Sequence, residues 1–270
     1  MPVNIDKCIA LSNDLRQKTY FQAAYPAVEQ KYTDLKNALI RGGVNPQNAG
    51  KTAYIDILKH LHDVMREAQP LVEQAIQSRI QAGEIHNADQ ARKSAAGNIF
   101  QQFFAYLLAQ NVICGNITAP VIVATSVKEL PNDYAAIYVD GDKLMPDSDV
   151  IVYSRANDNS PIIVFSCKTS FRERAGQTYK WKLMCDLATC TCQHRETELD
   201  CPISRYNITY TPTRSIKICF VTTDFYNEIS NPQIISMFRF FDRSYIAKDI
   251  TNATIDTLDL VIDYINSVFS

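Results

Sequence analysis

Between residues 146 and 182 the chain reads PDSDVIVYSRANDNSPIIVFSCKTSFRERAGQTYKWK. Two apolar runs are joined by a polar stretch, with Asp147 and Asp149 at the mouth of the first and Ser166-Cys167-Lys168 closing the second. Folded as a hairpin about Asn157 and Asp158, the chain sets Asp149 opposite Ser166, and Lys168 leaves the same face two residues on. A carboxylate and an amine at one sheet end are what metal-assisted phosphodiester cleavage needs. The acid holds a divalent cation, and the amine orients the attacking water and stabilises charge on the phosphate. Arg172-Glu173-Arg174 follows at once, a basic run suited to a polyanion. Asp147 shares the alternation of Asp149 and is the alternative ligand; Asp142, in the turn Asp140-Gly141-Asp142, is a third. Charges at a strand edge can also serve solubility alone, with Lys168 as a guard.

These residues need a sheet to hold them. Strand-like runs fall at 120–125, 135–139, 149–153, 161–167 and 216–222, and VIV, IIVF and IKICFV are continuous rather than alternating. Continuous runs are expected where a sheet is covered on both faces. Upstream, residues 4–85 are rich in Ala, Leu, Gln, Glu and Lys with apolar positions at helical spacing, broken by Gly42-Gly43 and Asn45-Pro46. A stronger helix is predicted over 87–110, with Asn87 as N-cap and Ile99, Phe103, Leu107 and Leu108 on one face. Further helices are predicted from Thr178 to about Cys190, over 232–241 and over 254–269. The expectation is an α/β protein: a helical N-terminal region, 1–86, and a core, 87–270, with a central mixed sheet flanked by helices.

Lys plus Arg number 27 against 29 Asp plus Glu, a net charge of −2, so no global field draws the chain to nucleic acid. A local patch must do so. Lys168, Arg172, Arg174, Lys180 and Lys182 provide one, with Tyr179 and Trp181 inside it, and Lys180 and Lys182 are the candidate contacts to a phosphate backbone. Arg239, Arg243 and Lys248 are weaker candidates. No window has the uninterrupted apolar length of a membrane span and the N-terminus lacks a leader pattern, so a soluble cytoplasmic protein is expected. Several of the eight cysteines fall in strand-like runs, which reads as buried reduced thiols. Cys185, Cys190, Cys192, His194 and Cys201 could ligate zinc, though the spacing matches no standard finger. His60 and His62 flank Leu61 and point to different helix faces, more as structural histidines than as ligands.

PDSDVIV followed by SCK resembles the PD-(D/E)xK nuclease motif with Ser in place of the second acid. That substitution marks the CCGG group of type II restriction endonucleases, which includes AgeI, BsaWI and NgoMIV, with EcoRII-like enzymes as close relatives. Arg172-Glu173-Arg174 likewise resembles the R-(D/E)-R recognition element of that group. The resemblance is specific over 146–174 and extends in texture over roughly 88–250. It implies the restriction-endonuclease-like core and Mg2+-dependent cleavage of double-stranded DNA by a homodimer, at a palindromic site containing CCGG. Asp149 and Asp147, or Asp142, would together hold Mg2+, or one carboxylate would hold it with the Cys167 backbone carbonyl, waters and phosphate oxygens; Lys168 would act on the water and phosphate, and Ser166 would be a hydrogen-bonding neighbour. An Arg fork can read guanine and Glu can accept from cytosine N4. Two departures matter. Gln101 stands where many of these nucleases carry an acid on the preceding helix, and no acid occurs between Glu173 and Asp186, where the CCGG group places a substitute. Alternatives are a PD-(D/E)xK nuclease of another role, such as repair or CC-N-GG-type restriction, and a DNA-binding module that has lost catalysis.

Overall fold

The computed structural model describes residues 2–130, 136–145, 148–156, 159–169, 174–189, 207–209, 214–225, 227–250 and 254–270. Five helices come first: α1 (Pro2–Arg16), α2 (Thr19–Arg41), α3 (Pro46–Asp56), α4 (Leu61–Gln81) and α5 (Ala88–Ile113). Their starts follow from side-chain caps. Asn45 accepts from the Asn48 N–H with Pro46 in the first turn of α3, and Asn87 accepts from the Gln90 N–H at the head of α5. Beyond its first turns α5 is buried nearly all round, as a helix at the centre of a core must be. Phe103 and Tyr106 meet Phe21 of α2 on one side, and Phe104 meets Phe165 edge-on at 5.2 Å on the other.

The sheet follows. β1 (Val121–Ala124), β4 (Val150–Ser154) and β5 (Ile162–Lys168) are antiparallel neighbours, and β7 (Ile216–Thr222), β8 (Arg243–Ile246) and β9 (Asp256–Thr257) continue from β5 in parallel. The order is β1-β4-β5-β7-β8-β9, the mixed central sheet expected from the sequence. A smaller sheet, β3-β2-β6, is built from β2 (Ile137–Val139), β3 (Asp142–Leu144) and β6 (Ile208–Thr209). Every residue of β4 and β5 is buried, which accounts for their unbroken apolar runs. Val150, Val152, Ile163, Phe165, Cys167, Cys219 and Val221 share one cluster with the N-terminal helices. On the opposite face Ile218 and Phe220 pack with Cys185 and Ala188 of α6 (Arg174–Ala188) and with Phe238 of α7 (Pro232–Phe238).

Two helix expectations are corrected. The helix predicted over 232–241 ends at Phe238 and is followed by β8, because Asp242 is drawn onto β7: its N–H donates to the Ile218 carbonyl and its Oδ2 accepts from the Ile218 N–H. The helix predicted over 254–269 opens instead with β9 and a 3₁₀ turn, and α8 covers only Val261–Val268. Among the described residues no helix is long and apolar enough to cross a membrane.

Candidate active site

The β4–β5 register pairs Val150 with Phe165, Ile151 with Val164, Val152 with Ile163 and Tyr153 with Ile162. Carried one residue further, it sets Asp149 opposite Ser166, and the Asp149 N–H donates to the Phe165 carbonyl at 3.1 Å. The Asp149 carboxylate then turns across the end of β5. Its Oδ2 accepts from the Cys167 N–H at 2.7 Å and from Lys168 Nζ at 2.8 Å. Both distances are those of charge-assisted bonds. Lys168 is 5% exposed and Asp149 17%, so this ion pair is largely withdrawn from water. Oδ1 has no hydrogen bond among the described residues and is the oxygen left for a cation. A hard carboxylate oxygen of this kind fits Mg2+, which retains waters where the protein supplies few ligands.

Neighbouring elements fix this geometry. Gln101 of α5 donates from Nε2 to the Asp149 carbonyl and so holds the backbone from which that carboxylate projects. Ser166 and Thr178 of α6 share a buried hydroxyl hydrogen bond of 2.8 Å. Sequence reasoning missed Thr178, since only the docking of α6 on β5 brings it to Ser166. The thiol of Cys167 is buried and its pKa is raised by burial. It faces the apolar cluster, so any contribution of this residue to a cation comes through its carbonyl.

The remaining candidates separate. Asp147, Arg172 and Glu173 lie outside the described residues; Arg174 opens α6, with its side chain also outside them. Asp142 sits exposed in β3, paired with Val139. Lys180 is exposed, whereas Lys182 is held by Asp186 and Asp242, the latter at 3.4 Å. Arg243 pairs with Asp256 at 3.7 Å and lies over the Tyr264 ring. His62 donates from Nδ1 to the Thr223 carbonyl at 2.8 Å, a structural histidine. Cys185 is buried in the cluster beneath α6, where burial pushes its thiol up to about 12; Cys190, Cys192, His194 and Cys201 lie outside the described residues.

This fold is that of a restriction endonuclease. The solved structure of the PspGI restriction endonuclease in complex with its substrate DNA matches over 94% of this chain and 93% of its own, with a TM-score of 0.50 at 14% identity. The family model for BsaWI restriction endonuclease type 2 matches residues 124–266, more than half the chain, and the chain belongs to that family. It is a type II site-specific deoxyribonuclease. No curated protein matches it.

Proposed function

We propose that this enzyme makes Mg2+-dependent double-strand breaks in DNA at a palindromic site containing CCGG, acting as a homodimer in the cytoplasm. One observation carries the assignment of the cutting site: the Asp149–Lys168 pair at 2.8 Å, with the second carboxylate oxygen open. Asp149 and the Cys167 carbonyl are the ligands for Mg2+, with Asp147 the nearest source of a second carboxylate in sequence. Bound there, Mg2+ would supply positive charge to the scissile phosphate and acidify a water. Lys168 orients that water and stabilises the charge that develops on the phosphate. Ser166 is a hydrogen-bonding neighbour, and Gln101 fixes the backbone from which Asp149 projects.

Arg172, Glu173 and Arg174 are the proposed readers of base edges, each good contact being worth roughly 1–3 kcal/mol of discrimination. Lys180, exposed on α6, is the stronger candidate for the DNA backbone; Lys182 would first have to leave Asp186 and Asp242. A two-fold site and one centre per chain require two copies to cut both strands. Residues 1–86 are proposed to serve dimerisation or to clamp the duplex, and 87–270 to form the catalytic core.

The test is incubation with plasmid carrying CCGG sites and Mg2+. Discrete site-specific fragments are expected from wild type and none from Lys168→Ala; Asp149→Ala should bind and fail to cut, and Arg174→Ala should lose site preference. The described residues offer a single carboxylate at this site, which favours a second reading, a binding module without catalysis. Wild-type binding without any cleavage would establish that reading and sink the first.

A further inference from the structure

Beside the Asp149–Lys168 pair, the carboxyl ends of β5, β7 and β8 carry a second charged cluster for which cleavage as described above has no use. Lys248, just past β8, directs its ammonium into the turn that follows β7. It donates to the Asp224 carbonyl at 2.7 Å, to the Asn227 Oδ1 at 3.0 Å and to the Asp224 Oδ2 at 3.4 Å. An ammonium has three protons, and these three acceptors match them. The side chain of Lys248 is 15% exposed and that of Asp224 1%. A lysine so engaged is poorly placed to bind a phosphate, the role its sequence position first brings to mind.

The turn itself is unusual. Asp224 and Asn227 both occupy the left-handed region, with φ of 48° and 53°. Short polar side chains tolerate it by bonding locally, and here Asp224 Oδ1 accepts from the Glu228 N–H at 2.6 Å. Such backbone persists where its surroundings over-determine it. Lys248, bonded to both residues, adds a constraint from outside the turn, and His62 fixes the preceding carbonyl, Thr223 O.

What the turn grips is the residue after the lysine of the cutting site. The parallel ladder between β5 and β7 ends with Lys168 opposite Thr222, and the Phe225 N–H then donates to the Thr169 carbonyl at 3.2 Å. Lys168 is thus bracketed. Asp149 holds the Cys167 N–H on the β4 side, and the turn holds the Thr169 carbonyl on the β7 side. We propose that Lys248 and Asp224 are positioning residues for Lys168, setting the strand end from which its ammonium meets Asp149. The inference rests on Lys168 acting in cleavage.

The test compares wild type, Lys168→Ala, Lys248→Met, Lys248→Arg and Asp224→Asn in three measurements: single-turnover cleavage at saturating enzyme with Mg2+, equilibrium DNA binding in EDTA, and melting temperature. Expected for Lys248→Met and Asp224→Asn is a 10- to 100-fold slower saturated rate with Kd within twofold of wild type, persisting at assay temperatures well below melting. Lys248→Arg should recover to within about threefold of wild type. Weakened binding with an unchanged saturated rate would make Lys248 a phosphate contact and overturn the proposal, as would a rate loss that disappears on cooling. If Lys248→Met does not fold, Asp224→Asn decides on the same criteria: a slowed saturated rate with binding retained supports the proposal, and a normal rate overturns it. Lys168→Ala cutting as fast as wild type would instead remove the reading of Lys168, while a normal rate from Lys248→Met beside an inactive Lys168→Ala would remove this inference alone.

Discussion

The two oxygens of Asp149 differ: Oδ2 accepts from Lys168 Nζ and the Cys167 N–H, and Oδ1 has no hydrogen bond among the described residues. Asp149→Asn removes the charge that pairs with the lysine and that the proposed cation would need while leaving the shape, so the saturated cleavage rate should fall by about 10²–10³-fold or more, with DNA binding retained. Gel shift and single-turnover cleavage check this together, and lost binding would mean that Asp149 holds the fold or the DNA rather than the chemistry. Ser166 is the contrasting case. It lies two residues before Lys168 in sequence, yet its hydroxyl is spent on Thr178 at 2.8 Å in a fully buried position. Ser166→Ala should therefore cost about 1 kcal/mol of stability through the lost hydrogen bond and leave the Mg2+ concentration for half-maximal cleavage unchanged. A several-fold shift in that concentration would instead make Ser166 a contact of the metal.

At the scale of elements, the hairpin of β4 and β5 delivers the site, and Arg214 secures its far end. This guanidinium is 2% exposed and donates to the Ser154 carbonyl at 3.0 Å and the Ser160 carbonyl at 3.2 Å, joining the turn of the hairpin to the start of β7. Arg214→Met should lower the unfolding free energy by about 3 kcal/mol, the scale of stripping a partner from buried polar groups, as urea denaturation would show. The hairpin was legible because its turn residues and the two-residue period fix the register, so Asp149 meets the end of β5 as expected. β8 was not, since the helical pattern of PQIISMFRFF runs on to Phe241 and nothing beyond it marks a strand until Asp242 is seen bonded to Ile218. Thr178 and Asp224 were hidden for the same reason: their partners, Ser166 and Lys248, belong to other elements and meet them only in the tertiary fold. His62 makes a comparable junction, bonding from α4 to Thr223 beyond β7 and to Ala247 beyond β8. Burial, with Lys248 and Arg66 nearby, lowers its pKa from 6.5 against the opposing pull of the Thr223 carbonyl and Asp63. The unfolded chain then takes up the proton first, so the stability from this group is complete above about pH 6.5 and drains away as the pH falls through the lower folded value. Melting temperature measured from pH 7.5 down to 5.5 should drop less steeply in His62→Gln; only part of the slope will go, because His60 is lowered by burial as well. Parallel curves would clear His62 of the effect.

For the whole molecule, the N-terminal helices are bound into the core that carries the site. One apolar cluster runs without a break from Cys8 in α1, through Phe21 and Leu61, to Val150 and Phe165 of the hairpin and Ile265 of α8. α5 is its axis, and Gln101 on that helix holds the Asp149 carbonyl. The sequence division at 86/87 falls in the turn between α4 and α5, a break between two helices. It does not follow that the two sides fold separately. Removing 1–86 would strip cover from Phe103, Tyr106 and their neighbours on α5, exposing apolar surface at roughly 25 cal/mol per Å², far more than a domain's margin of about 5–15 kcal/mol can absorb. A fragment of residues 87–270 should therefore bind a hydrophobic dye, lose its near-ultraviolet circular dichroism and melt without cooperativity. Adding back residues 1–86 in trans should restore a cooperative transition if the helices act only by covering that face. A fragment that melts cooperatively and cuts DNA by itself would show the helical region to be dispensable for the core and leave it the roles of clamp or dimer contact alone.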